Sequence, residues 1–591
     1  MTRTVSAVAL ALLLGGCASS EQQSALFSSN WQNDGGVSAG RLEQRLRAAP
    51  KVHDANLAVG VTSSGLVARD LSANTHWSYQ GTVDTLPSIA GQLVVFSAGN
   101  DLVALDAKSG RLLWKVPTKG RKLRGAGDDG TLTVASLGGE EPGKSLLLAV
   151  THQGDVTLKA AVDVEIGRPA ALGGVGFVPW GDQYISAVDL HSGSEVARML
   201  LRDLVSHAFL ADSSLYFGEK ALVRFDDKIR LADNGQGTRI ELKPRELPGN
   251  PRWLSSGSET AAIDSSARQK IRLYATPSDA NEKLHFANDE YLASYFKVAY
   301  GLAESDGKLL WARAFGADVV GAAVAASGFV VCDASGKVTE LDAKGGLASE
   351  FALGNSLKAC TVQASSLVIP PGQKAEPLAE QLASALKVLE PDMAAAQGFL
   401  LAELGKLDDP LVTKALIELS SSGRVPAEQR AEARKLLATR RTGTDFMLQA
   451  LARHYDFVSG ELPPPVGPLA DALAAVGEQR AAPLLARHLN DPANSIDDVE
   501  RAARALGKLA TPAEYRELRT FFALYRATAD DPGLVSAVTA VAGAILRVGG
   551  EEGRTLVERA AADPLTQPDV RRAISSLLPQ ARPEAQAAEA K

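Results

Sequence analysis

A short pattern recurs along residues 58–370 at a nearly constant interval. In its clearest copies, Leu102–Trp114 and Gly301–Trp311, an apolar run and a turn containing glycine are followed by a second apolar run that ends at tryptophan. The pattern predicts two strands joined by a tight turn, with Gly110 or Gly307 supplying the positive φ that the turn requires. A fixed period is typical of repeat architectures, so it constrains the fold more than any single residue does.

The repeat can be followed through eight equivalent positions. They are Asp70, Asp106, Thr151, Asp189, Asp226, Asp264, Ala303 and Asp342. Successive positions lie 36 to 45 residues apart, an interval that suits one four-stranded blade of a β-propeller. The sequence therefore predicts an all-β propeller of eight blades. Several copies are degenerate, which leaves seven blades as the alternative.

The order of apolar strand, Asp, turn, Gly, apolar strand and Trp resembles the PQQ-type propeller repeat. This repeat is found in quinoprotein dehydrogenases and in the BamB family of outer-membrane assembly lipoproteins. The resemblance is most specific in the copies that end at Trp77, Trp114 and Trp311. These rings are expected to pack between blades, since burying one contributes about 1.5–3 kcal/mol. We place the PQQ-like propeller at residues 58–372.

The amino terminus predicts export. Arg3 precedes an apolar run from Val5 to Leu14, which is too short to span a membrane and is typical of a signal-peptide core. Leu14-Gly15-Gly16-Cys17 resembles the bacterial lipoprotein box, which implies cleavage before Cys17 and lipidation of its thiol. An ordinary signal peptide with an incidental cysteine is the alternative.

The residues around the expected cleavage site suggest where the protein is held. We expect a signal peptide over residues 1–16, and over 17–57 the lipidated cysteine and a flexible tether. Ala18 stands where an inner-membrane retention signal often places Asp. By analogy, this favours a bacterial outer-membrane lipoprotein that faces the periplasm.

Two further cysteines, Cys332 and Cys360, complete the set of three. In an oxidising periplasm they could form a disulfide that ties the last full blade to the strand after it. Two buried thiols that pack as small apolar groups are the alternative. Sequence spacing does not decide between them, because it does not give the distance between the Cα atoms.

A second domain is expected after Ile369–Gly372, where β-branched strands give way to Ala- and Leu-rich segments with helical spacing. Glycines are expected to end four of these helices; they are Gly405, Gly477, Gly507 and Gly549. The pattern resembles HEAT-like helical repeats, and about a dozen helices in about six hairpins fit over 373–582. An irregular helical bundle is the alternative. The tail at 583–591 is expected to be disordered.

One segment, Gly138–Ser145, matches the phosphate-binding loop pattern literally. That loop requires a helix directly after it, whose first N–H groups bind the phosphates. The following run Leu146–Val150 is too short for such a helix and is typical of a strand. We therefore predict a hairpin loop, and no nucleotide.

Quinoprotein catalysis is the more serious enzymatic hypothesis. The resemblance implies a calcium ion held by carboxylate and amide oxygens, an aspartate base and a flat aromatic surface beneath the quinone. Trp180 and Trp253 are the candidates for that surface, but both lie within strand runs, where packing in the core is favoured. The vicinal cysteine pair of many such enzymes is missing from this sequence. We predict no enzyme activity, no cofactor and no metal.

Charge gives little support for nucleic-acid binding. The net charge is −7, and no basic block reaches the density that such binding requires. The stretch Lys119–Arg124 is either a contact for phospholipid head groups or an acidic partner, or a solvated loop between blades. A second set of basic residues decorates the helical region: Arg430, Arg434, Arg440 and Arg441.

A propeller and a helical array without a catalytic set both present large binding surfaces. The sequence thus predicts a non-enzymatic, lipid-anchored periplasmic scaffold that binds envelope proteins. The BamB resemblance implies a role in outer-membrane protein assembly, with a β-barrel assembly machinery as the partner. The alternatives are a structural component of another envelope machine and a PQQ-dependent dehydrogenase.

Overall fold

The computed structural model describes residues 24–578 except 32–35, 51, 140, 202–203, 212–213, 220–221, 226–237, 241–270, 275–276, 279–284, 389 and 454–461. The described chain forms two compact units. A β-sheet unit ends at Ala375, and a helical unit begins at Glu376.

The β-sheet unit contains seven four-stranded sheets within the described residues. The first fifteen strands contribute to the first four sheets. They are β1 (Leu57–Val61), β2 (Gly65–Asp70), β3 (His76–Gln80), β4 (Ser88–Ala90), β5 (Leu93–Ala98), β6 (Asp101–Asp106), β7 (Leu112–Pro117), β8 (Lys122–Asp128), β9 (Leu132–Gly138), β10 (Ser145–Thr151), β11 (Val156–Val162), β12 (Ala170–Leu172), β13 (Val175–Trp180), β14 (Tyr184–Asp189) and β15 (Glu195–Leu200).

The remaining strands complete the unit. They are β16 (Val205–Ala211), β17 (Ser214–Glu219), β18 (Leu222–Phe225), β19 (Thr238–Ile240), β20 (Ile271–Tyr274), β21 (Pro277–Ser278), β22 (His285–Phe286), β23 (Glu290–Tyr295), β24 (Val298–Ala303), β25 (Leu309–Ala314), β26 (Val319–Ala325), β27 (Gly328–Asp333), β28 (Lys337–Asp342), β29 (Leu347–Ala352) and β30 (Ala359–Gln363).

Most sheets are made of consecutive strands, and sheet one contains strands from both ends of the unit. Sheets two to five are β4–β7, β8–β11, β12–β15 and β16–β19, sheet six is β20-β23-β24-β25, and sheet seven is β26–β29. The first sheet is β30-β1-β2-β3, so its innermost strand comes from the end of the unit. Antiparallel pairing of β1 with β30, with Val59 opposite Thr361, therefore joins the two ends of the propeller.

The predicted repeat positions occupy equivalent places in these sheets. Each position that the structure describes is the last residue of the third strand of its sheet: Asp70, Asp106, Thr151, Asp189, Ala303 and Asp342. Asp226 and Asp264 lie outside the described residues. Asp106 Oδ1 accepts the backbone N–H of Ser109 at 2.8 Å, so its short side chain stabilises the turn. The prediction of a propeller built from this repeat is confirmed.

The tryptophans of the repeat are buried, as predicted. Trp114 packs among residues of sheets two and three, and Trp77 donates its indole N–H to the carbonyl of Ala107, in the turn after β6 of the next sheet, at 2.7 Å. Gly110 has a φ of 67°, and a Cβ placed on it would lie 2.6 Å from the Trp77 ring. Glycine is therefore required there for both the turn and the packing between sheets.

The prediction of a flexible tether over 17–57 differs from the structure. Residues 24–31 and the helix α1 (Gly36–Ala48) pack on the β-sheet unit. The side chains of Phe27 and Leu46 are buried there. Burial of these side chains stabilises the docked segment and offsets the conformational entropy that the segment would have if it were free.

The helical unit contains twelve helices within the described residues. They are α2 (Leu378–Ala385), α3 (Ala394–Lys406), α4 (Pro410–Ser420), α5 (Ala427–Ala438), α6 (Thr444–Ala452), α7 (Val466–Val476), α8 (Ala482–His488), α9 (Ile496–Leu509), α10 (Tyr515–Tyr525), α11 (Pro532–Val548), α12 (Gly550–Ala562) and α13 (Pro568–Leu577).

Consecutive helices form six contacting pairs, from α2 with α3 to α12 with α13. Helices α3, α5, α7, α9, α11 and α13 also contact one another in succession, as do α2, α4, α6, α8 and α10. The pairs are therefore stacked in two layers, as in helical solenoids. The predicted helical region is confirmed, while its description as HEAT-like repeats stays a prediction.

Two of the four predicted helix ends fit the structure. Gly477 ends α7 in the left-handed conformation, and Gly549 follows α11. The prediction is wrong for Gly405 and Gly507, which lie inside α3 and α9 near their ends. At Gly405 a Cβ would approach the Leu436 side chain of α5 to 2.8 Å, so this glycine serves close packing between helices.

Candidate functional site

The N-terminal arm is defined as residues 24–31, 36–50 and 52–56. It is the most extensive feature of the β-sheet unit that the sequence did not predict. It begins at Ser24, whose backbone N–H donates to Ala161 O on β11 at 3.0 Å. The Phe27 N–H donates to Glu195 Oε2 at 3.0 Å. The arm is thus fixed to the outermost strands of sheets three and four. Cys17, the predicted lipidation site, lies outside the described residues.

Arg198 on β15 organises the start of the arm. Its guanidinium donates to Glu195 Oε1 at 2.6 Å and to the carbonyl of Ser28 at 2.7 Å. It also lies 4.7 Å from the centre of the Trp180 ring and 5.0 Å from that of Trp31. A cation over an aromatic face is attracted by the ring quadrupole. One arginine therefore joins the arm to the sheet by charge, hydrogen bonding and ring contact.

Trp180, a candidate for the aromatic surface of a quinone site, is part of this contact. Its side chain is 8% exposed. Tyr184 stacks on it with ring centres 4.6 Å apart, and Phe27 lies against it at 5.5 Å. Its indole N–H donates to Ser186 Oγ at 2.8 Å. Packing of the arm occupies this ring, and Trp253, the other candidate, lies outside the described residues.

Helix α1 continues the arm across sheet four. Leu42 and Leu46 belong to a buried apolar cluster that includes residues of β13 and β15, and Arg45 forms an ion pair of 2.7 Å with Asp189 at the end of β14. A Cβ placed on Gly173, in the turn between β12 and β13, would come within 2.9 Å of the Ala49 side chain. The arm therefore follows the hairpin end of this sheet closely.

The last part of the arm reaches sheets three and two. A Cβ on Gly130, between β8 and β9, would lie 2.7 Å from Val52. Gly91, between β4 and β5, donates its N–H to Asp54 Oδ1 at 2.6 Å and accepts the Ala55 N–H at 2.8 Å. The arm thus crosses the hairpin ends of sheets four, three and two, and it covers that side of them before β1 begins.

A small group of charges lies where this end of the arm meets the sheets. Burial raises the pKa of Asp54 to about 6, against the opposing effects of the Gly91 N–H and of Arg168. Asp128 accepts a hydrogen bond from Thr133 at 2.6 Å and lies 2.9 Å from His152 Nε2. Hydrogen bonding to Asp128 raises the pKa of His152. Arg168 favours the charged form of Asp54 and Asp128 opposes it, so Asp54 couples the arm electrostatically to the sheets.

Cys332 and Cys360 lie on β27 and β30, with Cα atoms 6.5 Å apart and the sulfur atoms bonded in the structure. This separation is within the range of protein disulfides. Because β30 belongs to sheet one, the bond joins sheet seven to the strand that closes the propeller.

Two other segments singled out by sequence have structural roles. Gly138 and Ser145 face each other at the ends of β9 and β10, so the phosphate-loop pattern is a hairpin, as predicted. In the basic stretch Lys119–Arg124, Lys122 donates to Asp84 at 2.7 Å, and Arg124 pairs with Glu165 at 2.9 Å. These two residues therefore form ion pairs with residues of neighbouring loops.

The arginines of the helical unit are likewise used in its structure. Arg440 is 7% exposed and donates to the carbonyls of Leu407 and Asp409 at 2.8 and 3.0 Å. Arg434 pairs with Asp498 at 2.5 Å, and Arg430 donates to the carbonyl of Val425. Arg441, which is exposed, donates to the carbonyl of Arg440 at 2.9 Å.

Two grooves flank α4 in the helical unit. One cavity of about 340 Å³ lies between α2 and α4, and one of about 330 Å³ between α4 and α6. Glu418 lines both grooves, and Lys387 approaches it to 3.9 Å. Aliphatic and aromatic side chains line them as well: Ala383, Leu386, Leu419, Val425, Ile417, Phe446, Ala450 and Leu462.

Within the part of the chain that the structure describes, no cluster of His, Cys, Asp or Glu has the arrangement of a metal site. None of the described helices is long and apolar enough to cross a membrane.

The sequence contained signals for the arm. Phe27 and Trp31 are the aromatic residues of an otherwise Ser-, Gln- and Asn-rich stretch, and Leu42 and Leu46 have the spacing of one helix face. Such residues in a free tether would expose apolar surface, so their presence indicates a docked segment. The prediction of a flexible tether followed instead from the polar composition of the surrounding residues.

Comparison with known proteins agrees with the strand repeat. Residues 31–172 and 98–241 match the family described as "Outer membrane protein assembly factor BamB". The propeller is of the PQQ-like type. The first matched range begins at Trp31, within the arm, and neither range extends to the helical unit. No curated protein matches the chain.

Two solved structures are among those to which the chain is similar. The crystal structure of BamB from Moraxella catarrhalis is 17% identical and covers 51% of this chain and 87% of its own, with a TM-score of 0.28. The computationally designed Ika8 protein is 11% identical and covers 54% of this chain and 93% of its own, with a TM-score of 0.31.

Proposed function

We propose that this chain is a non-enzymatic, lipid-anchored scaffold of the bacterial envelope that supports outer-membrane protein assembly. The match of residues 31–241 to the BamB family carries the proposal, because that family is described as an assembly factor. The partner class is an envelope protein, with a β-barrel assembly machinery as the first candidate. The location is the periplasmic face of the outer membrane.

The form of the molecule supports a binding role. A propeller presents the loops that join its strands, and stacked helices present continuous surfaces. The one candidate aromatic surface for a quinone that the structure describes, at Trp180, is covered by Phe27 and Tyr184. The arrangement therefore favours recognition of partners over quinone chemistry.

The helical unit favours a second candidate function. Helices α2–α13 lie outside the residues that match the BamB family. A scaffold with an additional binding unit would suit a dedicated envelope machine that holds a fixed set of proteins. In this alternative the protein is a structural component, and loss of the protein leaves general barrel assembly intact.

Affinity purification of the full chain from solubilised membranes tests the proposal. We expect a β-barrel insertase among the proteins that co-purify with the wild type and reduced recovery with Cys17→Ser, the matched control for anchoring. A different, stoichiometric set of envelope proteins would favour the second candidate. A preparation without partners that shows quinone absorbance would contradict both.

A further inference from the structure

We infer that the outer edge of sheets three and four faces the lipid surface of the membrane. The inference rests on the proposed lipidation of Cys17. It follows from where the N-terminal arm first contacts the propeller, and it specifies an orientation that anchoring alone would leave open.

The arm leaves only a short link between the lipid and the propeller. Ser24 is bonded to Ala161 on β11, and it follows Cys17 by seven residues. Seven fully extended residues span at most about 25 Å. Strand β11 pairs with β10 on its inner side, so the link leaves from the outer rim of sheet three.

The maximum length of the link from Cys17 to Ser24 is short compared with the width of the β-sheet unit. A compact unit of about 300 residues has a radius of gyration of about 20 Å and is about 50 Å across. The opposite rim therefore cannot replace β11 at the membrane while the arm is docked. A free tether from Cys17 to Leu57 would instead have a root-mean-square length of about 35 Å and would permit any orientation.

The edge has side chains that suit the interfacial region of a bilayer. Val156 on β11 is 43% exposed and Leu200 on β15 is 51% exposed. The first turn of the arm contributes Trp31, held against Arg198. Aliphatic and indole groups are both favoured where lipid head groups meet acyl chains. We therefore assign a lipid surface, rather than a protein, as the neighbour of this edge.

Energy transfer to lipids tests the orientation. The lipidated full chain is inserted into phosphatidylethanolamine–phosphatidylglycerol vesicles that contain an acceptor-labelled head group. A donor dye is placed on Val156→Cys or, as the matched control, on Ala352→Cys, which is exposed on the outer strand β29 of sheet seven. We expect transfer from position 156 to exceed that from position 352 by roughly two-fold or more, as the short link requires.

A linker insertion supplies the second control. A flexible insertion of about 20 Gly and Ser residues between Ser20 and Glu21 should remove the difference while keeping the protein on vesicles. Equal transfer from both positions in the anchored wild type would overturn the orientation and leave the proposed function standing. Vesicle binding that is unchanged by Cys17→Ser would overturn the lipid anchor, and the inference with it.

Discussion

At the scale of single residues, the turn at Gly110 shows how one position joins two sheets. Its backbone is left-handed, and the Trp77 ring occupies the space of a side chain. Gly110→Ala should therefore lower the free energy of unfolding by about 2–4 kcal/mol, from left-handed strain and displacement of the ring. Urea unfolding followed by tryptophan fluorescence measures the change.

Gly99 provides the matched control for this variant. Its φ is 59°, but a Cβ there would meet no atom within 4 Å. Gly99→Ala should cost only the backbone strain, about 1–2 kcal/mol. Equal effects of the two substitutions would contradict the packing role of the Trp77 ring.

Asp54 makes stability depend on pH. Its folded-state pKa of about 6 lies above its ordinary value of 3.8, so the folded protein binds this proton more tightly. Stability from this group is therefore greatest at low pH and decreases as the pH rises through about 4 to 7. Arg168, Asp128 and His53 are the ionisable groups that act on it.

The substitution Asp54→Asn isolates this effect. The amide oxygen can still accept the Gly91 N–H, while the titration is lost. We expect the melting temperature of the variant to fall less between about pH 5 and pH 7.5 than that of the wild type. His152 contributes in the same direction and remains in the variant, so some slope persists. Identical slopes in the two proteins would argue against the raised pKa.

Arg440 and Arg441 are adjacent in sequence, but Arg440 is buried and Arg441 is exposed. Removal of the buried Arg440 guanidinium would leave the partly buried carbonyls of Leu407 and Asp409 without this donor. Arg440→Met should destabilise the helical unit by about 2–4 kcal/mol. Arg441→Met should stay within about 0.5 kcal/mol of the wild type. Denaturant unfolding followed by circular dichroism compares them, and similar losses would contradict the burial argument.

At the scale of elements, the strand repeat was predictable because it depends on local rules. Asp at a strand end, glycine in the turn and tryptophan in the next strand each satisfy a short-range requirement, and the described copies from Asp70 to Asp342 are equivalent in the structure. Helix ends were less predictable. Gly405 has a role in packing against α5, and such a tertiary role leaves no local signal.

The bond between Cys332 and Cys360 acts on the closing strand of the propeller. It encloses a sequence separation of 28 residues, for which the chain-entropy relation gives about 3–4 kcal/mol of stabilisation. We expect Cys332→Ser/Cys360→Ser, or reduction of the wild type, to lower the free energy of unfolding by about this amount. The control is the double variant under reducing conditions, which should show no further loss. Two free thiols in the denatured, unreduced wild type would contradict the bond.

At the scale of the whole molecule, the docked arm would limit how far the propeller can lie from the lipid that we propose on Cys17. Composition alone predicted a tether, because polar residues outnumber apolar ones before Leu57. The few apolar side chains nevertheless determine that this segment is docked, since burial of Phe27 and Leu46 against sheets three and four holds it in place. Such long-range contacts could not be located from the sequence.

Release of the arm should therefore change both its protection and the orientation of the protein. Phe27→Ser/Leu46→Ser removes two buried side chains of the arm, a loss of about 5 kcal/mol or more that exceeds the stability of many local contacts. We expect trypsin to cleave the arm at Arg41, Arg45 and Arg47 at least roughly ten-fold faster while the sheets persist.

The same release would lengthen the proposed connection from Cys17 to the membrane. With the arm undocked, the link runs from Cys17 to Leu57 and reaches about 35 Å on average, so the difference in energy transfer between positions 156 and 352 should disappear. Leu112→Ser, at an exposed position on β7, is the control and should preserve both protection and transfer. If the arm is cleaved faster but the difference in transfer remains, the orientation must come from a contact other than the arm. If neither the rate of cleavage nor the difference in energy transfer changes, the packing of Phe27 and Leu46 does not hold the arm. The short link then does not position the outer edge of sheets three and four.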